Sequence, residues 1–132
     1  MESKKIKAFE DIDAWKRAHA LCIRLYRAME SSREFIFRGH IFKTALSVSS
    51  NIAEGFERQS GREFILFLNY AKGSCGELRS QLYVAEDLGI VEGTQVRDMI
   101  REAKEISSMI NGLIRSIKKR MHSKRSMENN DI

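Results

Sequence analysis

The chain has 132 residues, of which 42% are hydrophobic; it fits one domain able to bury roughly two-thirds of its unfolded surface, and wholesale disorder is excluded. Net charge is +5, and residues 115–132 carry six basic residues against two acidic ones, so the basicity is concentrated in the tail. No stretch approaches the roughly 18 apolar residues of a membrane span, and the positive start "MESKKIKAFEDIDAW" has no apolar segment behind it, so a soluble cytoplasmic protein is expected.

Proline is absent, which suits long helices, because proline removes a helix hydrogen bond and clashes with the preceding turn. The spacing predicts a first helix from about Asp11, as N-cap, to Ser31, with Ala14, Ala18, Leu21, Leu25 and Ala28 at three- and four-residue steps. "SSREFIFRGH" breaks the pattern, with Gly39 expected as the turn residue. A second helix is predicted from about His40 to Arg58, its apolar row Ile41, Ala45, Val48, Ile52 and Phe56 flanked by a polar row of Thr44, Ser47, Asn51, Glu54 and Arg58. Ser49, Ala53 and Gly55 are small enough to admit another backbone.

Ser60 followed by Glu63 is the signature of a capping box opening the third helix. Phe64, Leu68, Ala71, Cys75, Leu78, Leu82 and Ala85 then hold an unbroken heptad up to Gly89, expected to take the left-handed cap conformation. Gly73 and Gly76, each costing about 1 kcal/mol relative to alanine, are expected to mark close helix contacts. A fourth helix starts near Thr94 and carries Val96, Met99, Ala103, Ile106, Ile110, Leu113 and Ile117. Four amphipathic helices with short connections predict an all-α, up-down antiparallel four-helix bundle over residues 1–122, followed by a basic then polar disordered tail over 123–132. Isolated Cys22 and Cys75 are expected to be reduced core residues.

"SSNIAEGF" and the downstream "EFILFLNYAKGSCGELRSQLYVA" closely resemble the four-helix-bundle proteins encoded within intervening sequences of 23S ribosomal RNA genes. The similarity runs from "DIDAWKRAHAL" through the fourth helix. That family in turn resembles the accessory protein of diversity-generating retroelements, a pentameric barrel of bundles that binds nucleic acid and a reverse transcriptase. The resemblance therefore implies a homo-oligomer, a pentamer by analogy, with nucleic acid and a reverse transcriptase or other protein as partners. Ser49 stands where members commonly carry proline, Arg79 and Ser80 where they often carry Glu-Thr, and the tail beyond Arg115 is more basic than usual for them.

The polar motif Ser50, Asn51, Glu54 and Gly55 is expected to be a structural knot between helices, with Glu54 buried and paired to Arg58 or to another subunit. No metal site is expected: a di-metal bundle needs Glu-x-x-His, which occurs nowhere, and His19, His40 and His122 lie on three separate segments. No cofactor and no catalytic residue are assigned. A helical RNase of the HEPN class, with Arg and His separated by four to six residues, is the weaker enzymatic alternative, and Arg115–His122 and Arg33–His40 both fit that loose pattern.

The basic end carries the functional expectation. Arg97, Arg101, Lys104, Ser108, Asn111, Arg115 and Lys118 form a row that Asp98, Glu102 and Glu105 can neutralise in its first half. Arg115, Lys118, Lys119, Arg120, Lys124 and Arg125 are expected to contact RNA or DNA phosphates in a salt-dependent, sequence-tolerant manner. No aromatic residue interleaves the tail, so base stacking is not expected there. The alternative is a protein-interaction scaffold without nucleic-acid affinity. The fourth helix spends its apolar face on the core, which argues against a membrane surface.

Overall fold

The computed structural model describes residues 5–130. The first four residues of the start examined for a leader, and Asp131 and Ile132 of the predicted tail, lie outside the described residues. A 3-10 turn, Phe9–Asp11, leads into four helices: α1 (Asp13–Met29), α2 (Phe35–Glu57), α3 (Gly61–Asp87) and α4 (Gly93–Asn130). Each helix packs on two neighbours, α1 on α2 and α4, and α3 on α2 and α4, which is the up-down four-helix bundle expected.

The heptads supply the core. Leu68, Ala71, Cys75, Leu78, Leu82 and Ala85 of α3 are buried against Val96, Met99, Ala103, Ile106 and Ile110 of α4, with Leu21, Leu25, Ile41, Val48 and Ile52 closing the other side. Cys22 and Cys75 are both free and buried, and burial pushes the Cys75 thiol up to about 11. Helix ends follow local chemistry. Ser60 Oγ accepts from the Glu63 backbone N–H at 3.3 Å, while the Glu63 carboxylate, instead of reaching back to complete a capping box, faces Arg58 at 3.8 Å. Gly89 takes φ 69°, its N–H donating to the Glu86 carbonyl and that of Ile90 to the Ala85 carbonyl, both at 2.9 Å, which is the Schellman closure.

Four local expectations are corrected. Asp11 is not the N-cap of α1, whose N-cap position is Ile12. Its carboxylate accepts from the backbone N–H groups of Lys7 and Ala8, which hold its pKa below the usual value. α2 begins at Phe35 and runs through Gly39, because the real turn is held elsewhere: Arg38 Nη1 donates to the Glu30 and Ser32 carbonyls at 3.2 and 2.9 Å. Gly73 is not a close contact, since a Cβ there would meet nothing within 4 Å, and one at Gly76 would meet only the end of Arg79 at 4.0 Å. α4 continues as helix through Asn130, with neither glycine nor proline after Gly112 to stop it, so residues 123–130 extend the helix where disorder was expected.

α2 passes through Ser49 without interruption; the residue is buried and its Oγ donates to the Leu46 carbonyl at 3.3 Å. At about 1.5 Å per residue, α4 is about 57 Å long against about 40 Å for α3. Met121 still packs beside Gly61 at the start of α3, and residues 122–128 are exposed. The end of α4 therefore projects beyond the bundle as a free helical arm.

Candidate nucleic-acid interface

The cationic residues of α4 fall into two sets. In the first half, Arg97 pairs with Glu86 at 3.2 Å and Arg101 with Asp98 at 3.4 Å, while Arg24 of α1 also approaches Asp98 at 3.7 Å. Glu102 and Glu105 are taken by Arg17 of α1, whose Nε donates to Glu102 at 2.9 Å and whose Nη2 reaches both carboxylates. Arg17 holds the Glu102 carboxyl below its ordinary range, and the two glutamates raise Arg17 further above its own. These acids thus clamp α1 to α4 as well as balancing the α4 surface.

The second half has no such partners. Arg115, Lys118, Lys119, Arg120, Lys124 and Arg125 are all exposed, and none forms an ion pair among the described residues. His122 is exposed beside Lys118 and Arg125, which with Met121 line a shallow hollow of about 350 Å³. Arg115 lies about two turns away and does not line it. Arg33, in the turn before α2, and His40 are likewise exposed, and neither lines the hollow beside His122 or the groove at the α2–α3 turn. Among the described residues, no group of three His, Cys, Asp or Glu side chains is placed to hold a metal ion.

The α2 motif divides. Gly55 is the packing residue: a Cβ there would stand 2.7 Å from Phe67 Cβ and 3.0 Å from Phe64, so α2 and α3 approach through its missing side chain. Asn51 Nδ2 donates to the Ser47 carbonyl at 2.8 Å, and Ser47 Oγ meets Ser74 Oγ of α3 at 2.7 Å, a polar contact between the helices. Ser50 is exposed, and Glu54 has 55% of its side chain in solvent, so the buried carboxylate expected here is corrected. Glu54 does pair with Arg58, at 3.1 Å, one turn along the same helix.

Two surface features escaped the sequence reading. The α2–α3 turn, α4 and Ile6 of the N-terminal segment enclose a groove of about 280 Å³ floored by Phe56, Phe64, Leu113 and Ile117, with Arg58 and Arg120 on its walls. The second is an outward apolar row on α3, Leu66, Tyr70, Val84 and Leu88, all exposed and lying on the side away from the core. They form two pairs on one face, separated by Gly73, Glu77 and Ser80, so no continuous period announces them in the sequence.

The family model described as 23S rRNA-intervening sequence protein matches residues 10–112. The chain belongs to that family. One solved relative, a protein of unknown function from the S23 ribosomal protein family of Bacteroides thetaiotaomicron, shares 20% identity with a TM-score of 0.71, covering 76% of this chain and 97% of its own. At that identity the likeness is one of fold. No curated protein matches. The family match ends before Arg115, so the six candidate phosphate-binding residues lie in the segment beyond the matched part of this intervening-sequence protein. No helix among the described residues is long and apolar enough to cross a membrane.

Proposed function

We propose that this intervening-sequence protein is a non-catalytic, oligomeric nucleic-acid-binding bundle that grips RNA or DNA phosphates with the C-terminal part of α4, from Arg115 into its projecting end. The observation that carries this reading is the set of six exposed cations from Arg115 to Arg125 without an ion pair among the described residues, four beside the last packed turns of α4 and Lys124 and Arg125 on its projecting end. Each phosphate contact releases counterions, so binding weakens as salt rises. Such a site requires no cofactor, and it suits a cytoplasmic setting where nucleic acid is available. The outward apolar pairs of α3, Leu66 with Tyr70 and Val84 with Leu88, support assembly, and Gly73 leaves room between them. Five subunits, and a reverse transcriptase among the partners, rest on the retroelement resemblance alone.

The same α3 row favours a second reading, a protein-interaction scaffold without nucleic-acid affinity. Titrating labelled single- and double-stranded RNA and DNA at two salt concentrations separates the two. The proposal expects binding at low salt that weakens steeply at high salt; a protein that assembles yet binds none of the four would overturn it in favour of the scaffold.

A further inference from the structure

The groove at the α2–α3 turn has a composition unlike the rest of the basic end. Phe56 and Phe64 meet edge to face, with centroids 5.9 Å apart and an interplanar angle of 85°, and both are only partly buried. Together with Leu113 and Ile117 they give it an apolar floor. On the walls, Arg58 is already fixed, paired with Glu54 and Glu63 and lying over the Phe67 ring at 5.0 Å. Arg120 is exposed and has no ion pair among the described residues. It precedes the projecting cations and follows Lys118 and Lys119.

We infer that this groove seats one unstacked base of a single-stranded nucleic acid, while Arg120 and its neighbours hold the adjacent phosphates. The inference rests on the nucleic-acid reading above and goes beyond it by naming the strand form and the site. Charge complementarity selects the occupant: an apolar hollow beside unpaired cations suits a ligand that carries flat rings on a polyanionic chain. The volume, about 280 Å³, is at the small end of the roughly 300–1,000 Å³ of ligand pockets, suitable for one ring system rather than a cofactor. Gln59, exposed on the turn beside the groove, has both donors and an acceptor to offer a base edge. A duplex keeps its bases stacked and paired, and must give that up before one can enter. Single strands have less to give up, and aromatic stacking tolerates any base. The expectation from sequence that stacking plays no part concerned the tail alone; the fold brings aromatic residues from α2 and α3 to the tail's root.

The test compares a short oligothymidylate with an abasic strand of equal length and phosphate number, titrated against the full chain, Phe56→Leu and Phe64→Leu. The wild type should bind the base-bearing strand about tenfold more tightly. Both variants should lose most of that difference while keeping the wild-type affinity for the abasic strand, and circular dichroism should report that they remain folded. Equal affinity of the wild type for the two strands would overturn the groove assignment and leave phosphate binding standing. A tenfold difference that survives in both variants would place the base elsewhere and overturn it too. No binding of either strand would overturn both the groove and the nucleic-acid reading.

Discussion

The two halves of α4 differ in surroundings as well as charge: Gly93–Gly112 carries three cations, Arg97, Arg101 and Lys104, and the remainder carries six. From Gly93 to Gly112 the helix buries Val96, Met99, Ile100, Ala103, Ile106 and Ile110; Arg97 and Arg101 find acids on α3 and on α4 itself, and its own acids pair with arginines of α1. From Arg115 onward, the last buried residue is Ile117, and the basic residues face solvent unpaired among the described residues. A charge inside a network contributes to holding helices together; the same charge on an arm without partners contributes little to the fold and is free for a ligand. Placement decides which of the two a charge does.

The largest expected contrast is in stability. Ile106→Ala, at a fully buried site, should cost about 2–5 kcal/mol by chemical denaturation, whereas truncation after His122 should change stability by less than about 0.5 kcal/mol. A truncation that unfolds the bundle would show that the arm belongs to the core after all. Gly55→Ala comes next. Its new Cβ must push Phe67 and Phe64 away, costing about 1–3 kcal/mol, while Gly73→Ala, on an open helix face, should be neutral or slightly stabilising.

A smaller effect is expected from Glu102→Gln, because the Arg17 clamp is partly solvated: about 1 kcal/mol or less near neutral pH. Its pH dependence has a definite sign. The folded Glu102 carboxyl lies below its ordinary 4.5, so its contribution is present above that value and is lost as pH falls through the folded pKa. Denaturation curves of wild type and variant should therefore differ at pH 7 and converge in acid; a gap that widens on acidification would contradict the clamp.

Periodicity carried much of the fold. The α3 and α4 heptads and the Gly89 cap were legible because each depends on residues near in sequence. The start of α2 was not, since Arg38 ties it to carbonyls of the preceding turn, and Gly39 looks the same in sequence whether it bends a chain or sits in a helix. Glu54 was misjudged because its neighbours Ile52 and Gly55 are buried, yet its own position on the helix turns it to solvent beside Arg58. The basic residues of the candidate site were visible from composition. The groove at their root was invisible, as Phe56, Phe64, Leu113 and Arg120 come from three helices and meet only when α4 packs across the α2–α3 turn.

The difference between the halves of α4 is tested most directly by neutralising each in turn. One variant would carry Arg97, Arg101 and Lys104 changed to glutamine, the other Lys118, Lys119, Arg120, Lys124 and Arg125. Nucleic-acid affinity would be measured across a salt series for both and for the wild type. The account predicts that the first variant keeps the wild-type affinity and salt slope, and that the second loses affinity and up to about 3.5 of the slope on a single strand. Equal losses in both, or a loss confined to the first, would show that net charge or the rest of the bundle surface governs binding, and would contradict a binding site on the C-terminal part of α4.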